Sequence, residues 1–109
     1  MSRQDALQGS LPLLLLKLLH RRGPLHGYGM ATQIEGMSDD TLRVEEGSLY
    51  PALHRLEEAG WIKARWTTSD TGRRARMYEI TAGGRRQLAA EEERWKAITA
   101  AVGKILKHA

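Results

Sequence analysis

A mainly helical α+β fold is what the sequence predicts: three helices, a two-stranded hairpin and a long final helix, in that order. Three observations carry it. Apolar residues recur at helical spacing through residues 5–22, 26–37 and 46–59. Residues 62–80 switch to strand-like alternation around central turn residues. Beyond Thr81 an apolar repeat of seven takes over. At 109 residues the chain fits one domain with a modest core, which partner burial often helps to complete.

The first helix, residues 5–22, carries Leu11, Leu14, Leu15, Leu18 and Leu19 on one broad face. Leu7, Leu13 and Leu16 extend the apolar surface most of the way round. A helix apolar on nearly every side must be covered on nearly every side, and in so small a chain a second subunit is the natural cover. Gly23-Pro24 ends it. The second helix runs from about His26 to Met37, with Tyr28, Ala31 and Ile34 at core spacing, and Ser38-Asp39-Asp40 follows as a polar loop.

The third helix spans roughly Glu46–Ala59. Pro51 lacks a backbone N–H and sits comfortably in a first turn, which places the start near Glu46 to Ser48. Leu49, Leu53 and Leu56 share one face, while Gly47, Pro51, His54, Arg55 and Glu58 point the other way. Gly60 supplies the stop.

From Ile62 to Thr67 apolar and polar residues alternate. Ser69 to Arg74 carries the turn residues Asp70 and Gly72, and Arg76 to Ile80 returns with Tyr78 and Ile80 on one side. Basic residues concentrate at the expected tip. Thr81 is a suitable N-cap for the last helix, which continues to about Lys107. Leu88, Trp95 and Val102 recur every seven residues, as do Glu91, Ile98 and Ile105, forming a heptad seam with one polar place. Three helices followed by a basic hairpin is the winged helix-turn-helix arrangement, whose third helix enters the major groove of DNA. Residues 1–81 then form the winged helix-turn-helix domain, its first helix shared with a dimer interface, and residues 82–109 the dimerisation helix.

Charge points the same way. Lys and Arg total 17 against 13 Asp and Glu, a formal net charge of +4. Between Trp61 and Arg86 seven cations face two carboxylates, so that segment carries +5 and the remainder −1. The basic charge is a local patch, suited to a polyanion. There are no cysteines, which excludes disulfides, thiolate zinc ligation and thiol catalysis. The leucine run 11–19 is broken by Pro12 and Lys17 and falls well short of the roughly 20 residues that span a bilayer. It lacks a signal-peptide cleavage site, since His20-Arg21-Arg22 follow it. A soluble, cytoplasmic protein without membrane attachment is expected.

The motifs resemble the PadR family of bacterial transcription regulators. The likeness rests on His26-Gly27-Tyr28, on Glu46-Gly47-Ser48-Leu49-Tyr50-Pro51-Ala52-Leu53, and on Leu56-Glu57-Glu58-Ala59-Gly60-Trp61-Ile62. It continues through Gly72-Arg73-Arg74-Ala75-Arg76-Met77-Tyr78 and Ile80-Thr81-Ala82-Gly83-Gly84-Arg85. No single motif is decisive, but five in order and spacing over about residues 7–107 are specific. Met77 departs from the pattern, since many members carry an aromatic or a Lys there. The resemblance implies a homodimer that represses nearby genes from a palindromic site, and a member of the short kind, with one long C-terminal helix. In such proteins the first and last helices build the dimer, and some members bind small aromatic effectors between the subunits.

On that footing Ser48, Pro51, His54 and Arg55 are the candidates for base edges, with Tyr50 at the margin of their face. The competing reading is a plain solvated helix surface. Arg73, Arg74 and Arg76 suit phosphate or the minor groove, although charge beside a hairpin turn also serves solubility. Lys63 and Arg65 point the same way along their strand and could add backbone contacts. Tyr28, beside His26, combines packing with a place near the DNA backbone. The expected dimer interface comprises Leu11, Leu14, Leu15, Leu18, Leu88, Trp95, Ile98, Val102 and Ile105. Trp95 reads either as a dimer-core aromatic or as a stacking platform for a ligand.

Other constellations fall away. Gly27-Tyr28-Gly29 follows no strand pattern, so it is not a nucleotide loop. The four histidines, His20, His26, His54 and His108, lack metal-ligand spacing, and no cofactor is expected. Ser48 and His54 lie too far round the helix to pair as nucleophile and base. With no catalytic constellation, the expectation is a DNA-binding regulator rather than an enzyme. The alternative is a winged-helix module that binds protein or RNA, its hairpin charge incidental.

Overall fold

The computed structural model describes residues 3–68 and 70–109, with side chains from residue 9 onward. The side chain of Leu7, expected on the first helix's apolar face, and Ser69, expected at the turn, lie outside what is described. The elements are α1 (Arg3–Arg22), β1 (Leu25–His26), α2 (Gly27–Met37), α3 (Glu46–Glu58), β2 (Ile62–Thr68), β3 (Arg74–Ile80) and α4 (Ala82–His108). This is the mainly α winged-helix arrangement, with a small antiparallel sheet in the order β1-β3-β2.

α1 is the central element of the core. Leu15 and Leu16 are fully buried and Leu11 is 2 % exposed. Its neighbours α2, α3, α4 and β3 all belong to the same chain. The chain's own elements thus take up much of the apolar surface of this helix that the sequence assigned to a second subunit. Four elements pack against α1 within one chain, and among its described leucines Leu13 and Leu14 stay partly open. Met30, Ala31 and Ile34 of α2 and Leu49, Ala52, Leu53 and Leu56 of α3 complete the core. Val44 joins them from the loop, where Glu35 Oε1 accepts its N–H at 3.1 Å. Tyr28 does not follow its expected core spacing. It is 79 % exposed, because the buried stripe of α2 begins at Gly27 and resumes at Met30.

Two further differences are local. β1 is a two-residue strand, with Leu25 opposite Tyr78 and His26 opposite Met77. It is too short for alternation to reveal, and it makes His26 the N-cap of α2 rather than its first residue. α3 begins at Glu46 as expected, yet Pro51 is its sixth residue and lies beyond the first turn. The Gly47 carbonyl thus loses its helical donor; Gly47 is exposed, which leaves that oxygen to solvent.

The end of α3 and the start of α4 are built together. Gly60, at φ +78, turns the chain after α3, in a conformation that side chains rarely adopt. Thr81 Oγ1 accepts the Gly84 N–H at 3.0 Å and donates to the Gly60 carbonyl at 2.7 Å. Gly84 is pressed against the Trp61 carbonyl, which would lie 2.0 Å from any Cβ placed there. α4 is thereby anchored by its first turns, where Gly84 and Leu88 are buried. Further along, Lys17 Nζ meets Glu92 Oε1 at 2.9 Å, an ion pair that ties α4 back to α1.

Candidate nucleic-acid interface

Along α3 the spacing of seven residues carries Tyr50, His54 and Glu57 onto one stripe, which faces the hairpin. The hairpin answers with Trp66 from β2 and Arg74, Arg76 and Tyr78 from β3, the alternate positions of one face. Between them runs an open groove of about 500 Å³, lined also by His26, Gly27 and Tyr28 where α2 begins. Of the eleven residues expected at the interface, His26, Tyr28, Tyr50, His54, Arg74 and Arg76 line this groove.

Ser48, Pro51 and Arg55 lie on the adjoining outer face of α3, around a smaller hollow beside Gly47 and Leu11. Arg73 occupies the hairpin turn and is exposed. Lys63 is not brought to the groove. It stands directly across from Glu79 on the other face of the hairpin, with Nζ 3.4 Å from Glu79 Oε1. Strand alternation carries Arg65 to that face as well.

Two cations on the groove side behave differently. Arg74 lies over the Trp66 ring, Cζ to centroid 4.6 Å, and both are exposed, Trp66 at 59 %. Arg76 turns inward instead. Its Nη2 donates to Glu57 Oε2 at 2.9 Å, and its guanidinium lies 5.7 Å from the Tyr78 ring. The phosphate contact expected of Arg76 thus competes with an existing partner on α3. Tyr78 is buried, which pushes its phenol above the ordinary range, while the Arg76 charge pulls the other way.

His26 ties the start of α2 to the sheet. Its Nδ1 lies 3.1 Å from the Arg76 carbonyl oxygen, and since a carbonyl only accepts, Nδ1 carries the proton and donates. Gly27 lets α2 start against Tyr50, whose Cε1 would be 3.2 Å from a Cβ there. Glu57 and Trp66 were not singled out from the sequence. The signal for Glu57 was its place seven residues after Tyr50 on one helical stripe. For Trp66 it was the strand position opposite Arg76.

The residues expected at a dimer interface divide into two groups. Leu11, Leu15, Leu18 and Leu88 are buried within the chain's own core, and Leu14 is half-buried. Trp95, Ile98, Val102 and Ile105 are exposed along α4, joined by Leu106. Glu91, the polar place in the seam, accepts from Gln87 Nε2 at 2.9 Å and pairs with Arg94. Beside α1, Leu14, Leu18, Ile34, Met37 and Leu42 line an apolar hollow of about 230 Å³. Among the described residues there is no group of three or more His, Cys, Asp or Glu placed to hold a metal, and no helix long and apolar enough to cross a membrane.

A recognition-type helix with a basic hairpin folded beside it defines a winged helix-turn-helix protein of the transcription-regulator class. Residues 15–90 match the PadR-like family of transcriptional regulators, and the chain belongs to that family. A transcriptional regulator from Clostridium thermocellum has a similar structure, with a TM-score of 0.83 and 29 % identity, over 92 % of this chain and 96 % of that one. A PadR family regulator from Eggerthella lenta aligns with a TM-score of 0.80 and 27 % identity, over 97 % and 89 %. A transcriptional regulator of Mycobacterium tuberculosis is 37 % identical over 73 residues, 67 % of this chain and 66 % of that protein.

Proposed function

We propose that the chain acts as a homodimeric repressor that binds a palindromic operator in double-stranded DNA in the cytoplasm, working by binding alone and not as an enzyme. The observation that carries this reading is the groove between α3 and the hairpin, flanked by exposed cations and by the open outer face of α3. Ser48, Pro51, His54 and Arg55 meet base edges, and Arg55 can form a bidentate contact to guanine worth about 1–3 kcal/mol of discrimination. Arg73 and Arg74 take phosphates, as do groups around His26, Tyr28 and Tyr50, and these contacts set position rather than sequence.

The second subunit packs on the exposed stripe Trp95, Ile98, Val102 and Ile105 and on the apolar hollow beside α1. The two α3 helices then enter successive major grooves roughly 34–36 Å apart. A dimer on a promoter excludes the transcription machinery. A small aromatic effector held between the subunits near Trp95 relieves this by favouring a spacing that fits the operator less well.

A gel-shift titration tests the reading, using an inverted repeat from upstream of the chain's own gene. With about 6–10 phosphates contacted, affinity falls about 10³–10⁵-fold between 50 and 200 mM salt. Equal affinity for the repeat and a scrambled fragment, or a flat salt response, overturns it.

A further inference from the structure

The hairpin and α3 are joined by an ion pair that DNA binding by itself does not require. Arg76 Nη2 donates to Glu57 Oε2 at 2.9 Å, and both side chains are partly buried. The same guanidinium lies 5.8 Å from the Trp66 centroid and 5.7 Å from that of Tyr78. Its Nε is shielded from solvent with no hydrogen-bond partner, so part of this cation is turned into the fold while the side chain as a whole stays 38 % exposed. The Arg76 carbonyl accepts from His26 Nδ1. One residue therefore joins α3 through its side chain, the start of α2 through its carbonyl, and Trp66 through its guanidinium. Trp66 in turn carries Arg74 on its ring at 4.6 Å.

We propose that Glu57 and Arg76 are positioning residues: they latch the hairpin to α3, so that Arg74 and the outer face of α3 meet DNA as one pre-set surface. This rests on the DNA-binding reading. A hairpin held only by its own turn would have to be ordered on binding, and that ordering lowers affinity. Glu57 gives the proposal a decisive sign. A carboxylate in an interface for a polyanion repels it, so if Glu57 were a bystander its neutralisation would tighten binding. If it is half of a latch, neutralisation weakens operator binding although a repulsive charge has gone.

The test uses Glu57→Gln and Arg76→Gln in the full chain, with circular dichroism to establish folding and Arg76→Lys as a variant that keeps the charge but not the planar fork. Each is titrated against the upstream fragment that the unmodified protein retards and against a scrambled fragment of the same composition. Hydrogen exchange of the amides of residues 74–78 is followed without DNA. Glu57→Gln is expected to lose about tenfold in operator affinity, with scrambled-DNA affinity unchanged or higher and faster exchange across β3. Arg76→Gln and Arg76→Lys lose a similar factor with the salt slope unchanged, because no phosphate contact is removed. Wild-type or tighter operator binding by Glu57→Gln overturns the proposal. So does a salt slope reduced by about 1 in Arg76→Gln, which marks a direct phosphate contact. If the unmodified chain fails to distinguish the fragments, the DNA reading falls and takes the positioning role with it. The exchange data still report separately whether the latch holds the hairpin.

Discussion

Gly84→Ala is the substitution to which the structure assigns the largest effect for the smallest change. A Cβ at residue 84 would stand 2.0 Å from the Trp61 carbonyl oxygen, 2.9 Å from its carbon and 2.7 Å from Ile80 Cγ1. Two of these atoms are backbone, and the Trp61 carbonyl is already fixed by accepting the Thr81 N–H at 3.0 Å. Relief requires lifting the start of α4 off the sheet by on the order of 1 Å, which also loosens the Thr81 cap on the Gly84 N–H. Overpacking of this kind costs about 1–3 kcal/mol and occasionally more, and a backbone clash belongs at or above the top of that range. With roughly 4 °C or more of melting temperature per kcal/mol, the midpoint should fall by at least about 12 °C. Gly103→Ala is the matched control. It also sits in α4, but nothing lies within 4 Å of its Cβ. There alanine's backbone preference should stabilise by about 0.5–1 kcal/mol. Thermal unfolding by circular dichroism at fixed protein concentration reads both. A Gly84→Ala midpoint within 3 °C or so of the unmodified chain refutes the close approach on which the α4 anchor is built.

Thr81→Ala removes both the cap on Gly84 and the bond to Gly60, and should cost about 1 kcal/mol in urea unfolding without a change in m-value. Lys17 holds the Glu92 carboxyl below its ordinary range chiefly through their hydrogen bond. A carboxylate lowered in the folded state contributes stability above its unfolded pKa near 4.5 and loses it as pH falls through the folded value. Glu92→Gln should therefore lower the melting temperature slightly at pH 7 and not at all in strong acid, as scanning fluorimetry across pH would show. Ile98→Glu combined with Ile105→Glu should turn the proposed dimer into a monomer by light scattering while leaving the helical signal, because neither side chain is buried within the chain.

Much of this fold was legible because its periods are clean. The apolar stripe of α3, the hairpin alternation and the Thr81 cap each rest on a local rule that the tertiary structure leaves intact. Failures came where a local rule met a tertiary fact. β1 exists only because β3 offers an edge to Leu25 and His26, a pairing some 50 residues distant in sequence. Tyr28 lies at core spacing but just outside the arc of α2 that other elements cover. Arg76 read as a phosphate cation because Glu57, its partner, lies nineteen residues earlier in another element. Basic composition located the patch; only the fold distinguishes Arg74, left exposed, from Arg76, turned onto α3.

The two leucine-rich and heptad-patterned helices illustrate why apolar pattern alone does not identify a subunit interface. α1 is apolar nearly all round, and among its described residues Leu11, Leu15, Leu16, Leu18 and Leu19 are nonetheless buried within the chain, since α2, α3, α4 and β3 pack against them. α4 is less apolar, yet its 27 residues reach about 40 Å, well past the core that its first turns touch. The radius of gyration is 15.3 Å against about 13 Å for a compact chain near this size, and the long axis reaches 57 Å. Among the described residues none buries Trp95, Ile98, Val102, Ile105 or Leu106, which stay exposed along α4. Two such stripes from two copies can cover each other at one turn of a heptad seam after another, whereas a single chain cannot fold back onto its own. The geometry that makes α4 too long for the core is thus the same geometry that would hold two recognition helices at a fixed distance.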